Sequence, residues 1–360
     1  MKKFQSFVLQ NEEIFIGLED SKKTWRLAVR SGNIVVAETA MEAKINALES
    51  YLKKQFPMCK IHLAYEAGFR GFWLHDRLVA NGVDCIVVPP NRVHQEKSNT
   101  QKNDTRDARL LAEMAQFYPH KRCFIPSCKA REDREIIRLY LSVNNQIIAM
   151  KNRIRKKLVF HGFEEHFPDK TAWKDSDYAN VVKTLANLHL SEALEFSFVN
   201  LCEQLKLLQE RKKSILKKLI ELSEKPEYLP MVEIMKSVPG IGPLVAIGFI
   251  LELAGDMRRF PRRAKWGHFL GLAPRDFSSG EADHKGHISR EGNPRIRAWL
   301  VEAAWIAIRK DPVLLKKYNA VVRSSGSGKK AIVAVAHKMA LRCRALLISG
   351  QKYQKGVIEG

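Results

Sequence analysis

Three short runs of apolar and β-branched residues near the start of the chain constrain its fold more than any other feature. These runs are IFIGLED (14–20), WRLAVR (25–30) and NIVVAE (33–38), and small turns separate them, as in a three-strand meander. The segments that follow predict a helix (MEAKINALESYLKKQF), a strand (IHLAYEAG), a second helix (FWLHDRLVANG) and a buried strand (VDCIVVPP). With a further helix in KNDTRDARLLAEM, the order βββαβαβα predicts an RNase H-like α/β domain, although other α/β folds share parts of this pattern.

The pattern becomes long and helical from about residue 129 to 228. Segments 131–162 and 190–225 place apolar residues at spacings of three and four with a basic opposite face, and a polar connection separates them. Two such helices predict a helical hairpin or coiled coil, whose apolar stripe serves packing within the chain or in a dimer. From Pro239 onwards small residues and glycines become frequent. The sequence therefore predicts three domains, 1–125, 126–229 and 230–360, of which the last is mainly helical.

The charge balance points to a polyanionic partner. The chain has 61 Lys and Arg residues against 39 Asp and Glu residues, a net charge of +22. Such an excess attracts nucleic acid, although solvated lysine faces on an ordinary protein would give the same total. Because no long apolar run occurs and the N-terminus turns acidic before a signal-peptide core develops, we expect a cytoplasmic protein without membrane contact. The cysteines form no CxxC pair, so we expect reduced thiols.

Four acidic residues stand at positions that an RNase H-like fold brings together. Glu19 ends the first predicted strand, Glu66 ends the AYEAG strand, and Asp104 and Asp107 share one face of a starting helix. The first and fourth strands are neighbours in such a sheet, so these carboxylates can converge. Converging carboxylates repel one another unless a hard cation neutralises them, and oxygen-only ligands favour Mg²⁺ or Mn²⁺. We therefore predict a metal site at these four residues, although any one of them alone is typical of a helix cap or a surface charge.

A second candidate site lies in GLAPRDFSSGEADHKGHISREGNPRIRAWLVEAAW, a glycine-rich segment with many positive charges. Ser278 and Ser279 precede Gly280, and GNPRIR then opens a helix with Pro294 near its first turn. A serine hydroxyl can attack a phosphodiester when a base or metal assists it and when cations or backbone N–H groups hold the oxyanion. Composition alone favours a flexible turn at SSG.

Six blocks of the sequence carry a family resemblance: FIGLEDSKKTWRLAV, AYEAG, KNDTRDA, SVPGIGPLVA, FLGLAPRDFSSG and GHISREGNPRIRAWLVEAA. In order and spacing they resemble the blocks of IS110-type transposases, also called DEDD transposases. The resemblance covers nearly the whole chain and is weakest in the helical middle. It implies a RuvC-like N-terminal domain, a coiled-coil insertion and a C-terminal transposase domain whose serine attacks DNA. It also implies a homo-oligomer, a dimer or tetramer, and guidance by a noncoding bridge RNA that pairs with donor and target DNA.

The resemblance further implies catalytic roles for five residues. The family's four acids fall on Glu19, Glu66, Asp104 and Asp107, and its serine falls on Ser279. The first position departs from the family's pattern, which usually has Asp there, so the ligand is either Glu19 or the adjacent Asp20. Strand alternation points these two side chains to opposite faces, and alignment with the motif favours Glu19.

We therefore expect a metal-dependent serine transposase, nucleoid-associated in a bacterium, that acts on DNA at element ends and targets. Ser279 forms a transient phosphoserine link, and basic residues around 258–265 and 285–297 position the nucleic-acid backbone. The arginine-rich stretch that contains Arg258, Arg259, Arg262 and Arg263 is expected to lie mainly on the surface. Two alternatives stay open, a RuvC-like Holliday junction nuclease that activates water and a catalytically inactive nucleic-acid-binding protein.

Two other glycine-containing motifs carry weaker signals. PGIG (239–242) resembles a helix-hairpin-helix, whose backbone contacts phosphates, but a turn between packed helices explains it equally well. SSGSGKK (324–330) resembles a P-loop. Arg323 stands where the first glycine is needed, however, and no Ser or Thr follows the lysine, so we expect no nucleotide binding there.

Overall fold

The computed structural model describes five stretches of the chain, residues 12–92, 103–167, 173–255, 257–276 and 285–356. They belong to two compact units, Met1–Ile125 and Pro126–Gly360. The first unit is a mixed α/β domain, and the second is mostly helical. No helix in the described stretches is long and apolar enough to cross a membrane.

A five-stranded sheet with strand order β3-β2-β1-β4-β5 forms the centre of the first unit. Its strands are β1 Glu13–Asp20, β2 Thr24–Ser31, β3 Ile34–Glu42, β4 Lys60–Glu66 and β5 Asp84–Val88. β1 lies between an antiparallel neighbour, β2, and a parallel neighbour, β4. The first and fourth strands are therefore adjacent, as the sequence pattern predicted.

Helices cover both faces of this sheet. They are α1 Ile45–Gln55, α2 Trp73–Ala80 and α3 Asp104–Phe117. Leu48 of α1 and Leu74 of α2 belong to a core on one face, and Leu111 of α3 belongs to a separate core with Ala64 and Val88 on the other. The element order is that predicted from the sequence, βββαβαβα.

A glycine in the middle of β1 lets α3 lie directly on the sheet backbone. A Cβ atom on Gly17 would stand 1.9 Å from the carbonyl oxygen of Ala108 and 2.3 Å from the amide nitrogen of Ala112. No side chain fits in that space, so only glycine permits this approach. The contact fixes how closely the first turns of α3 pass the end of β1.

Two long helices dominate the start of the second unit and pack along each other. The helices of this region are α4 Cys128–Phe160, α5 Asp175–Ala179, α6 Val181–Ala186 and α7 Glu192–Ser223. Buried residues such as Ile147 and Ile154 of α4 and Phe198 of α7 form the core between the long pair. The predicted helical hairpin is present, and a coiled coil stays a prediction.

The remaining helices pack around a central apolar helix, α9. The elements are α8 Leu229–Lys236, α9 Pro243–Leu253, α10 Arg263–Leu270, β6 Pro274–Asp276, β7 Lys285–Ile288, α11 Pro294–Ala307, α12 Pro312–Ser325 and α13 Gly328–Ser349. Their core also includes Ile137 of α4 and Leu219 of α7. One core thus spans the segments that the sequence assigned to two domains, 126–229 and 230–360, and their division at residue 229 stays a prediction.

The PGIG motif forms the turn between α8 and α9. Gly240 adopts a φ of 88°, and a Cβ there would stand 2.4 Å from the carbonyl oxygen of Ala303 in α11. Val238 and Ile241 beside it are buried. Because this hairpin packs closely on α11, the structure favours a turn between packed helices over a helix-hairpin-helix that contacts phosphates.

Candidate functional site

Two of the acidic candidates lie where β1 and β4 end. These strands are parallel and in register, so Glu19 and Glu66 are neighbours at the same edge of the sheet. Glu19 shares a face of β1 with Gly17, on which α3 packs. Glu66 shares a face of β4 with Ala64, whose core also includes α3 residues. Both carboxylates therefore lie on the side of the sheet that α3 covers.

The first turn of α3 supplies the other two acids. Asn103 caps this helix with its side chain, and Asp104 and Asp107 follow in the first turn. Arg26 of β2, which pairs with Glu19 in the β1–β2 register, has its Nε 3.7 Å from Asp104 Oδ2. The start of α3 is thereby held beside the end of β1.

The electrostatics of Glu19 reflect this convergence. Burial of the carboxyl group raises the pKa of Glu19 from 4.5 to about 7, and the charges of Asp20, Asp107, Glu66 and Asp104 add to the rise. The other three predicted acids therefore all lie close enough to Glu19 to interact with it electrostatically. A carboxylate whose ionisation is opposed in this way gains from a nearby cation.

The donor atoms fit a hard divalent cation, but they do not yet surround one point. The four predicted ligands offer only carboxylate oxygens, which Mg²⁺ and Mn²⁺ prefer. Among the residues that the structure describes, no three His, Cys, Asp or Glu side chains stand close enough together to hold an ion as placed. A shared ion would therefore need these carboxylates to come closer together.

Asp20 occupies the opposite face of β1. Its side chain is buried, and Arg70 Nε lies 3.4 Å from Asp20 Oδ2, an ion pair that lacks hydrogen-bond geometry. Arg70 also donates hydrogen bonds to the carbonyl oxygens of Asp20 and Ser21, at 3.3 Å and 2.7 Å. Burial raises the pKa of Asp20 to about 6, and the Arg70 charge acts against that rise. Asp20 thus ties the end of β1 to the loop that follows β4.

Three residues that position this site were missed by the sequence analysis, Gly17, Arg26 and Arg70. A glycine inside a strand signals close backbone approach and could have identified Gly17. The pairing of the first two predicted strands could have placed Arg26 opposite Glu19, because a hairpin's turn sets its register. No local pattern marks Arg70, because its loop meets β1 only in the folded unit.

The predicted nucleophile Ser279 and its neighbour Ser278 lie outside the described residues. The chain enters and leaves segment 277–284 through β6 and β7, a short antiparallel pair that the sequence analysis did not predict. The residues that follow β7 are hydrogen-bonded to α10 where α11 begins. The backbone N–H of Asn293 donates a hydrogen bond to the carbonyl oxygen of Phe269 at 2.7 Å.

The basic stretch 258–265 is mainly exposed, with one exception. The exposed arginines are Arg258, Arg262 and Arg263. Arg259 is half-buried, and its guanidinium carbon lies 4.6 Å from the Phe260 ring centroid and 5.0 Å from that of Phe269. This cation–π stacking makes Arg259 part of the packing around α10, so the expectation of a surface position fails for this residue.

Family models match both parts of the chain. A model described as the transposase IS116/IS110/IS902 family matches residues 232–319, a range that includes Ser279. A model of IS110-type DEDD transposases matches residues 20–162, which include Glu66, Asp104 and Asp107, and Glu19 stands one residue before this match. A DEDD-type transposase domain implies the use of a divalent metal in general.

Transposases are also among the individual proteins of similar sequence. The transposase for insertion sequence element IS1533 of Leptospira borgpetersenii is 28% identical over 92% of this chain and 94% of the relative. A putative transposase of Sinorhizobium fredii, y4qE, is 23% identical over 96% of this chain and 85% of the relative. The transposase for IS1111A of Coxiella burnetii is 27% identical over 76% of this chain and 74% of the relative. With the same family matched at the acidic sheet and at the serine segment, the chain belongs to the IS110 family of transposases, enzymes that recombine DNA.

Proposed function

We propose that this transposase is metal-dependent, cuts and rejoins DNA through a phosphoserine intermediate, and is guided by a bridge RNA from its own insertion sequence. The observation that carries the metal-dependent step is that Glu66, Asp104 and Asp107 stand near enough to Glu19 for their charges to add to the rise in its pKa that burial causes. The serine and RNA steps are supported by the resemblance of the sequence blocks to IS110-type transposases.

Glu19, Glu66, Asp104 and Asp107 would hold the divalent cation, Mg²⁺ or Mn²⁺. When bound, the cation neutralises negative charge on a scissile phosphate. A ligand carboxylate is ionised, so a bound cation would favour the deprotonated form of Glu19, and Arg26 Nε lies 3.7 Å from Asp104 Oδ2. Gly17 contributes to this arrangement because its missing side chain allows α3 to pack closely on β1.

Glu19 is a better candidate than Asp20 for the first ligand. Glu19 lies on the sheet face that α3 covers, together with the other three acids. Asp20 points into the opposite core and already has a cationic partner in Arg70. A ligand role for Asp20 would require that ion pair to break and the end of β1 to rotate.

Ser279 would act as the nucleophile. Its Oγ gives up its proton and attacks the scissile phosphorus, an Oγ–P bond forms, and the P–O bond of the strand breaks as the leaving oxygen takes up a proton, so no net proton is gained or lost. One phosphoester bond replaces another, so a hydroxyl of a second strand can later attack the same phosphorus and release the serine. Rejoining therefore needs no nucleotide hydrolysis.

Trapping of the covalent intermediate tests this proposal. Full-length protein is incubated with Mg²⁺, its copurified RNA and labelled DNA that carries the element ends, and the products are denatured. We expect a protein-linked DNA band that Ser279→Ala abolishes, with DNA binding nearly unchanged because the substitution removes one hydroxyl and no charge. Ser278→Ala is the matched control and should retain the band.

Other outcomes would assign different functions. Metal-dependent cleavage without any protein-linked DNA would indicate a RuvC-like nuclease in which water attacks. Binding without cleavage in the presence of RNA and metal would indicate an inactive nucleic-acid-binding protein. A band that persists in Ser279→Ala would show that another residue is the nucleophile.

RNA guidance and oligomeric assembly have separate measurements. Under this proposal, nuclease treatment that removes copurified RNA abolishes strand exchange, and the transcribed noncoding region of the element restores it. Light scattering of the reconstituted complex should give the mass of a dimer or tetramer. Full activity after complete RNA removal would exclude a guide.

A further inference from the structure

A basic cavity lies between α4 and α11 in the second unit. Its volume is about 450 Å³, within the range of small-molecule binding pockets. The residues of interest in its lining are Arg138, Ser142, Asn145, Arg295, Ala298 and Trp299. Two guanidinium groups, an amide, a hydroxyl and an indole therefore surround one space.

A buried carboxylate holds both guanidinium groups in place. Glu252 of α9 is only 3% exposed, and its Oε1 lies 3.2 Å from Arg138 Nε and 3.4 Å from Arg295 Nη1. Asn293, which caps α11, donates to the other carboxylate oxygen at 2.9 Å. Positively charged side chains fixed by a buried partner lose little entropy when they bind an anion.

The local charge remains positive after these pairs are counted. Arg134 lies within electrostatic reach of Arg138, Glu252 and Arg295, and burial is the main cause that lowers the pKa of its guanidinium. Arg138 also pairs with the exposed Glu135 at 3.5 Å. Arg134 does not line the cavity, but with Arg138 and Arg295 it makes three cations against the two carboxylates of Glu135 and Glu252, and the one excess positive charge beside the cavity favours a phosphate.

Trp299 supplies the apolar side of the same cavity. The indole lies against Gly248 of the buried helix α9, where an added Cβ would stand 2.8 Å from the ring. This contact holds one edge of the ring against α9, and the side chain is half-buried at the cavity. An aromatic ring beside fixed cations is the combination with which proteins bind unpaired nucleotides, because the ring stacks on a base while the cations contact the phosphate.

We propose that this cavity binds a single nucleotide of an unpaired nucleic-acid strand, with its phosphate between Arg138 and Arg295 and its base against Trp299. The inference rests on the proposed function only in that the chain acts on nucleic acid. A base inside a duplex is stacked between its neighbours and cannot reach Trp299. The cavity is therefore a site for strands that are melted or looped out.

The test measures the affinity of full-length protein for labelled oligonucleotides of one length by fluorescence anisotropy, in buffer without divalent metal. The arms are single-stranded DNA, single-stranded RNA and duplex DNA, so the preferred strand type is identified by the same measurement. Ala298→Glu places a carboxylate in the cavity, and Ala298→Gln places an uncharged group of the same size there. We expect Ala298→Glu to bind single strands at least about tenfold more weakly than Ala298→Gln, with little difference for duplex.

Removal of the two cations gives a second measurement. We expect Arg138→Gln with Arg295→Gln to lower single-strand affinity and to reduce the slope of log affinity against log salt by about 0.7 for each phosphate that the protein no longer neutralises. The matched control is Arg153→Gln with Arg309→Gln, which removes two exposed charges elsewhere in the unit. Because the first pair leaves Glu252 buried without its cations, the Ala298 variants keep the test valid if that protein does not fold.

Equal single-strand affinities of the two Ala298 variants would overturn the proposal. Equal reductions of affinity for single strands and duplex would overturn the role of the unpaired base. Neither result would bear on the proposed covalent intermediate at Ser279. If that proposal were wrong, the protein-linked DNA band would be missing while these oligonucleotide affinities stayed unchanged.

Discussion

Replacing a carboxylate by its amide removes the charge of a metal ligand and keeps its shape. We expect Asp104→Asn and Glu66→Gln each to reduce DNA cleavage below detection at millimolar Mg²⁺, because the amide is a weaker, neutral ligand. Cleavage of labelled element-end DNA across a Mg²⁺ titration measures this. Asp20→Asn is the neighbouring control, and it should keep most activity because Asp20 faces Arg70 instead of α3. Normal turnover in either ligand variant would remove that residue from the metal site.

For single residues, the sequence predicted which acidic residues stand near each other better than it predicted what packs around them. The positions of Glu19 and Glu66 at the ends of adjacent strands follow from the order of the elements. Which sheet face carries the acidic residues depends on where α3 packs, and the sequence analysis did not use the one local signal of that packing, a glycine inside β1. Gly17 decides it, because its missing Cβ admits the backbone of Ala108.

The raised pKa of Glu19 predicts a pH dependence of stability. Its folded pKa of about 7 exceeds its ordinary value of 4.5, so the folded state holds the proton more tightly between these values. The contribution of Glu19 to the free energy of unfolding therefore falls as the pH rises from about 5 to about 7. In buffer with a chelator, the melting temperature of Glu19→Gln relative to the unmodified protein should be higher at pH 8 than at pH 5. A constant difference across this range would mean that Glu19 titrates normally.

At the scale of secondary-structure elements, the contact between β1 and α3 is the most sensitive joint near the acidic site. Gly17→Ala would place a methyl group 1.9 Å from the Ala108 carbonyl, so α3 must shift away and carry Asp104 with it. We expect a loss of unfolding free energy of roughly 1–3 kcal/mol or more, typical of overpacking, together with weaker metal binding. Thermal unfolding with and without Mg²⁺ measures both effects.

Gly68→Ala is the matched control in the same unit. A Cβ at Gly68 would meet only the Glu66 carbonyl oxygen, at 3.9 Å, so this change should leave stability nearly unaltered. If Gly17→Ala unfolds at the same temperature as the control, the close approach of α3 to β1 does not contribute to stability.

Element types followed from sequence patterns more reliably than element boundaries did. β3 continues to Glu42, where it pairs with Thr24, although Met41 and Glu42 were assigned to the following helix. Pairing along β2 overrides the local helical spacing there. The short strands β6 and β7 were missed, because three or four residues carry too little periodicity to be recognised. The long helices α4 and α7 were predicted well, since their apolar spacing repeats over many turns.

At the scale of the whole molecule, the excess of positive charge is the property that can be read from the sequence without knowing the fold. A net charge of +22 does not depend on the fold. Which cations face solvent does depend on it. Arg259 stacks on Phe260 and Phe269 and therefore contributes to packing, whereas Lys265 and its arginine neighbours are exposed. A charge-removal variant must spare Arg259 if it is to change binding without changing stability.

The charge excess predicts a steep salt dependence of nonspecific nucleic-acid binding, because each neutralised phosphate releases condensed counterions. About five phosphate contacts would lower duplex affinity on the order of a hundredfold or more between about 50 and 200 mM salt. Changing Arg262, Arg263 and Lys265 together to Gln should flatten the slope while the melting temperature stays nearly constant, because these side chains are exposed. The control removes three exposed charges from α7 instead, those of Lys206, Lys213 and Lys217. An equal change in both variants would mean that affinity follows total charge, and a flat slope in the unmodified protein would mean that the excess is solvated surface with no part in binding.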